Sequence, residues 1–322
     1  MHLESPEFLR DTLHIITIIA IPIHIFGTYC VLFKTPKTMG SVKWIMFNFH
    51  FWCMFLDYSV TILAVPFMLF PALAGFPLGV LREINCPVEI QAYLILTLLA
   101  VVTAAVVTIF ENRYYIVFAQ NTKWRHYRIL VSMINYSCAF VWCLPSFLTV
   151  PEQNMARKVA LAMLGPNVTD YIQNAPVYVI SLELKSITLP CFIAIMIIVP
   201  QAFLFIGLIR NALKKLKKTA RFSETTLKMQ RNFLNSVYIQ VSLYMTSIQL
   251  PIVYVFTSVL FKIYSQAANN LVFVIFSFNG VSSTIIMIWI HKPYRDYSYK
   301  LLGIEKWKKK STVQVSTYDT VV

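Results

Sequence analysis

Residues 90–109 read IQAYLILTLLAVVTAAVVTI, twenty residues without a charge, a proline or a glycine. About 20 apolar residues in an α-helix span the roughly 30 Å hydrocarbon core of a bilayer, and only a helix satisfies its own backbone hydrogen bonds there. Six further stretches qualify: Leu13–Phe33, Trp44–Phe70, Ile129–Val150, Ile187–Ile209, Phe233–Phe261 and Leu271–Ile290. The whole chain agrees with them. Of its 322 residues 57% are hydrophobic, 15% aromatic and 13% charged, against roughly 25% charged in soluble proteins. Mean hydropathy is +0.63. The sequence therefore predicts an all-α membrane protein, a seven-transmembrane helix bundle, and excludes an ordinary soluble enzyme.

The net charge of +14 could suggest nucleic acid, but the basic residues sit between the apolar runs. Sorted by side, 6 Lys and Arg fall on one face of the membrane and 22 on the other. The richer side is cytoplasmic by the positive-inside rule, which places the N-terminus outside and the C-terminus inside. The charge is topogenic, and no nucleic-acid partner is needed. The first span is read as a helix rather than a cleaved signal, because its head is acidic (Glu4, Glu7, Asp11), its apolar run is long and no Ala-x-Ala site follows. The expected organisation is an extracellular N-terminus at 1–12, a bundle at 13–295, an amphipathic interfacial helix at 296–310 and a disordered cytoplasmic tail at 311–322. The sequon Asn167-Val168-Thr169 lies in the long loop after the fourth span, where Asn167 is open to glycosylation.

Catalysis and cofactors find little support. A retinal protein needs a lysine inside the seventh span, and Lys292 lies beyond its end. The six His show no i, i+4 pairing and no HExxH, so no metal site is expected. No internal repeat suggests a transporter. Cys86 and Cys191, both placed toward the outer side, form either a disulfide or two free thiols, since a bridge requires Cα atoms within about 7 Å.

Asp57 is the one acidic residue in mid-span, where ionisable groups cost about 2.5–3.5 kcal/mol and face the bundle interior. Asn279, Ser282 and Ser283 are its candidate partners, as a polar hinge or as a hydrogen-bonded packing residue. At the inner end of the third span, Phe110-Glu111-Asn112-Arg113-Tyr114 lets Arg113 snorkel to water. Glu111 and Arg113 stand two apart and face different ways; the group is a latch or an interfacial anchor. Pro22, Pro66, Pro145, Pro200 and Pro251 are expected to kink helices, with Pro251 the working hinge. Lys214 and Lys215 lie on a basic extension of the fifth span suited to an acidic partner or anionic lipid. The last residues, Thr320-Val321-Val322, fit carboxylate capture by a PDZ-type partner.

Gly75-Phe76-Pro77-Leu78-Gly79, Phe110-Glu111-Asn112-Arg113, Gln249-Leu250-Pro251 and His291-Lys292-Pro293-Tyr294-Arg295 together resemble the nematode serpentine receptor class H chemoreceptors, within the rhodopsin-like G-protein-coupled receptors. The resemblance covers essentially the whole chain. It departs from the broader rhodopsin-like pattern in Asn112-Arg113-Tyr114, with Glu111 displaced by one, and in lacking Asn-Pro-x-x-Tyr in the seventh span. It implies chemosensory reception at the plasma membrane of sensory cilia, an odorant or pheromone-like small-molecule ligand, and a heterotrimeric G protein. The expected ligand contacts are Gln91, Tyr93, Thr97, Tyr254, Thr257, Phe273 and Phe276, an aromatic set with few polar groups. The expected switch and coupling residues are Asp57, Glu111, Arg113, Arg125, Lys214, Lys215, Pro251 and Tyr294, with membrane lipids as further partners. A ligand-gated channel or transporter built from oligomerised chains is the alternative.

Overall fold

The computed structural model describes residues 2–36, 40–165, 169–218 and 224–303. Asn167 and the tail with Thr320-Val321-Val322 lie outside the described residues.

Helix α1 (Pro6–Phe33) begins seven residues before its predicted apolar start. Ser5 caps it, accepting from the Phe8 N–H at 3.1 Å, and Pro6 at the first position loses no bond. Helix α2 (Gly40–Tyr58) runs on into a five-residue π turn, Ser59–Leu63, and stops there. The sequence reading carried this helix to Phe70, and the structure corrects it. The chain instead forms strand β1 (Pro66–Met68) and strand β2 (Leu73–Pro77), a hairpin paired Pro66 to Pro77 and Phe67 to Phe76. Pro66 is therefore a strand residue and not a helix kink. The reason is local: prolines at 66, 71 and 77 remove helix donors, and glycines at 75 and 79 disfavour a helix by their backbone entropy. Gly79 sits where a Cβ would meet the Leu63 carbonyl oxygen at 2.4 Å, so only glycine lets the hairpin close against the π turn.

After the short α3 (Val80–Glu83), helix α4 (Val88–Tyr114) threads the centre of the bundle. Its small and β-branched side chains, Val101, Val102, Ala104 and Ala105, are fully buried and let α2, α5 and α9 approach closely. Helix α5 (Trp124–Val141) breaks before α6 (Leu144–Leu148), where Pro145 starts the new helix instead of kinking the old one. A loop region then builds α7 (Gln153–Met163), α8 (Asp170–Asn174) and strand β3 (Tyr178–Ser181), which pairs antiparallel with β2. Two long helices follow, α9 (Lys185–Lys218) with Pro190 and Pro200 inside it and α10 (Glu224–Phe261) with Pro251. The chain reaches α11 (Gln266–Ile290) and turns at His291 into α12 (Lys292–Leu301), a basic helix that begins four residues before the predicted 296.

Six of these helices are long and apolar enough to cross a membrane: α1, α4, α5 with α6, α9, α10 and α11. Helix α2 is the seventh long helix of the bundle and carries His50 and Asp57. The main core gathers α2, α4, α9, α10 and α11 around Phe49, Leu56, Val102, Phe110 and Phe205. A second core is separate from it. Leu9, Leu13 and Ile16 of α1 pack with Phe67, Leu69 and Phe76 of the hairpin, Ala156 and Ala160 of α7, Ile172 of α8 and Val179 of β3. The three strands and two short helices thus plug one end of the bundle, called the sheet end; α12 marks the opposite end.

Candidate functional site

Helix α11 begins with a polar turn that the sequence reading left outside the span. Gln266, Asn269 and Asn270 are all buried there. Polar side chains removed from water need partners, and these find them in the plug. The Asn269 side-chain amide donates to the Phe70 carbonyl at 3.0 Å and Gln266 to the Met68 carbonyl at 3.1 Å, while Asn270 donates to the Leu3 carbonyl at 2.8 Å. Asn269 Oδ1 also accepts from the Tyr254 hydroxyl of α10 at 2.7 Å. One helical turn therefore fastens the hairpin, the N-terminal segment and α10 together.

Three turns further along α11 a second polar cluster joins α1, α2 and α11. The Gly280 backbone N–H donates to Asp57 Oδ1 at 3.2 Å. His24 Nε2 lies 3.4 Å from Asp57 Oδ2, outside good hydrogen-bond alignment. The other nitrogen of His24 meets Thr284 Oγ1 at 3.0 Å, and His50 Nε2 meets Thr28 Oγ1 at 3.0 Å. Of the expected Asp57 partners, Asn279 instead accepts from the Ser247 hydroxyl of α10 at 2.6 Å, and the Ser282 hydroxyl turns back onto Phe278 O and Asn279 O of its own helix. The partner found for Asp57 is a backbone amide, the Gly280 N–H. His24, His50 and Thr284 went unrecognised. The spacing of His50 and Asp57, seven residues apart and so on one face of α2, was the available signal.

At the α12 end, Glu111 is buried and holds two elements. It accepts from the Trp124 indole at 2.7 Å and from Arg128 at 3.0 Å. Arg128 also donates to Asn112 Oδ1 at 3.0 Å and stacks 3.8 Å above the Tyr115 ring. Glu111 is thus engaged by Arg128, which sequence reasoning counted only as topogenic charge. Arg113 is buried, and its charge reaches His291. Burial first, and that charge second, push the His291 imidazole down to about 4, so it is neutral at physiological pH. Tyr294 is buried with its hydroxyl 2.7 Å from Thr35 Oγ1, tying the start of α12 to the end of α1. Arg125, Lys214 and Lys215 are exposed at the same end.

The seven expected ligand contacts are distributed over α4, α10 and α11. Tyr93 turns toward α5 and α6, donating to the Phe140 carbonyl and packing on Phe147, and Thr257 is exposed with its hydroxyl on Val253 O. Gln91 donates to the Cys86 carbonyl at 2.8 Å and Thr97 meets Cys143 Sγ at 3.7 Å. Phe273 and Phe276 of α11 sit in the core, with Phe273 touching both the main core and the plug. Of the two alternatives for Cys86 and Cys191, the structure shows two free thiols. Cys86 follows α3 with its thiol toward the neighbouring Pro87 carbonyl, while Cys191 belongs to the second turn of α9. Among the described residues no group of three or more His, Cys, Asp and Glu side chains is placed to hold a metal ion.

Comparison with known proteins agrees with this architecture. The family described as serpentine type 7TM GPCR chemoreceptor Srh matches residues 4–304. Serpentine receptor class H-72 of Caenorhabditis elegans is 24% identical over 309 residues, covering 91% of this chain and 85% of that protein.

Proposed function

Because the chain belongs to the Srh family of serpentine seven-transmembrane chemoreceptors, and is an integral membrane chemosensory receptor, we propose that it converts binding of a small molecule at the sheet end into activation of a heterotrimeric G protein at the α12 end. One observation carries the reading: Asn269 links the plug to α10 through Phe70 O and the Tyr254 hydroxyl. A cue that shifts the plug relative to α11 therefore acts directly on α10.

Helix α10 is suited to respond. Pro251 removes one of its backbone bonds and permits a kink there. Lower down, Ser247 and Asn279 couple α10 to the turn of α11 whose Gly280 N–H holds Asp57. The ligand acts by preferring one packing of these helices over another. Its contacts are Gln91 and Thr97 on α4, Tyr254 on α10, and Phe273 and Phe276 on α11. The sheet end faces outward, and the G protein meets Arg125, Lys214 and Lys215 once the Glu111–Arg128 latch opens.

The test is a screen of volatile and water-soluble compounds on cells expressing the full chain, with calcium as readout and G-protein signalling blocked in a parallel set. Responses abolished by the block support the reading. A fast agonist-evoked current that survives it would establish a ligand-gated channel instead.

A further inference from the structure

A cleft of about 650 Å³ opens on the flank of the bundle where α1, α11 and α12 meet. It is separate from every polar cluster described above. Its walls are apolar: Pro22 and Phe26 of α1 face Ile285 and Trp289 of α11. Trp289 is 63% exposed and so available to an occupant. The volume falls in the range of pockets that enclose a small ligand or a single chain.

The rim is of another character. Arg295, Ser298 and Tyr299 of α12 close the cleft at one end. A guanidinium has five N–H donors. Arg295 spends one on the Trp289 carbonyl at 3.3 Å, and its Nε is buried with no partner among the described residues. Lys292 and Lys300 add positive charge on the same helix, offset in part by Asp296, 3.6 Å from Lys292. An apolar slot that opens to the hydrocarbon and ends at an arginine with donors to spare matches an amphiphile with an anionic head. The forked guanidinium suits a phosphate in particular.

We propose that this cleft binds one anionic phospholipid of the leaflet at the α12 end, with an acyl chain between α1 and α11 and its phosphate on Arg295. The bound lipid would brace α12 against α1 and α11. Nothing in this depends on which ligand or G protein the receptor uses.

Trp289 supplies the probe. The full-length protein is placed in phosphatidylcholine nanodiscs titrated over the same range of mole fractions with either bromo-acyl phosphatidylserine or bromo-acyl phosphatidylcholine. The Trp289 emission is taken as wild type minus Trp289→Phe. The serine lipid should reach half-maximal quenching at about fivefold lower mole fraction, the factor equivalent to the ~1 kcal/mol of one cation at an anionic surface. Arg295→Gln should erase that preference and Arg295→Lys should keep part of it. Equal quenching by the two lipids in the wild type would overturn the proposal, since the cleft would then hold bulk lipid only. A preference that survives Arg295→Gln, or stronger quenching by a brominated sterol than by either phospholipid, would overturn it as well.

Discussion

Gly280→Ala puts a methyl group where the Asp57 carboxylate now lies. The added Cβ would stand 2.0 Å from Oδ2, 2.5 Å from Cγ and 2.8 Å from Oδ1, all far inside van der Waals contact. Either α11 moves off α2 or Asp57 swings away, and both outcomes stretch the 3.2 Å bond from the Gly280 N–H. Overpacking a tight site costs about 1–3 kcal/mol, and an ordinary hydrogen bond contributes about 0.5–1.5 kcal/mol. The combined effect is about 3 kcal/mol, on the order of 100-fold in the equilibrium between bundle packings. Thermal unfolding of the purified receptor, together with basal G-protein signalling at matched surface expression, reads it. Gly207→Ala is the control, because nothing lies within 4 Å of a Cβ there; alanine in that helix should be neutral or stabilising by up to about 1 kcal/mol. Asp57→Ala should partly rescue Gly280→Ala, since removing the carboxylate opens the space the methyl needs. A Gly280→Ala protein that melts and signals like the wild type would refute the account of this contact.

Asn269→Ala strips the Phe70 carbonyl and the Tyr254 hydroxyl of a partner, costing about 1–3 kcal/mol for each buried polar group left unpaired; agonist concentration–response curves should shift to higher concentration, and an unshifted curve would remove the plug from the signalling path. Glu111→Gln weakens the hold on Arg128 by about 1.5–3 kcal/mol, so basal nucleotide exchange should rise, with unchanged exchange counting against a latch. Arg113→Ala should reduce G-protein activation more than surface expression, and equal loss of both would leave Arg113 a folding residue. His291 has a folded-state pKa lowered to about 4 from 6.5, so the unfolded chain binds the extra proton and stability is lost as pH falls from 6.5 toward 4. The difference in melting temperature between wild type and His291→Gln should shrink over that window; a constant difference would show that His291 does not titrate on unfolding.

Much of the bundle was legible because membrane spans announce themselves in one dimension. Twenty apolar residues between charged ends suffice for α4 or α11, and no tertiary contact is needed to see them. The second span failed at its far end for the converse reason. The residues from Val65 to Gly79 are as apolar as a span, and only the density of Pro and Gly distinguishes a buried hairpin from a helix. Its pairing with β3, about a hundred residues away, leaves no local trace. Asp57 could be recognised as costly and inward-facing, whereas its partner is a backbone N–H exposed by the missing side chain of Gly280, which carries no pattern of its own. The latch was half legible: Glu111 stands out at a helix end, but choosing Arg128 over Arg113 as its partner requires the course of the chain through α5. Tyr93 and Thr257 stand out by chemistry alone, and only the helix rotation shows that Tyr93 packs toward α5 and α6 while the Thr257 hydroxyl returns to Val253 O.

The most direct measurement is nucleotide exchange on a purified heterotrimeric G protein, mixed with the purified receptor in liposomes and an agonist found by screening. The account predicts that the agonist accelerates exchange by wild-type receptor and that Asn269→Ala blunts the acceleration at matched receptor content. Agonist-driven ion flux across the same liposomes, with exchange unchanged, would contradict it.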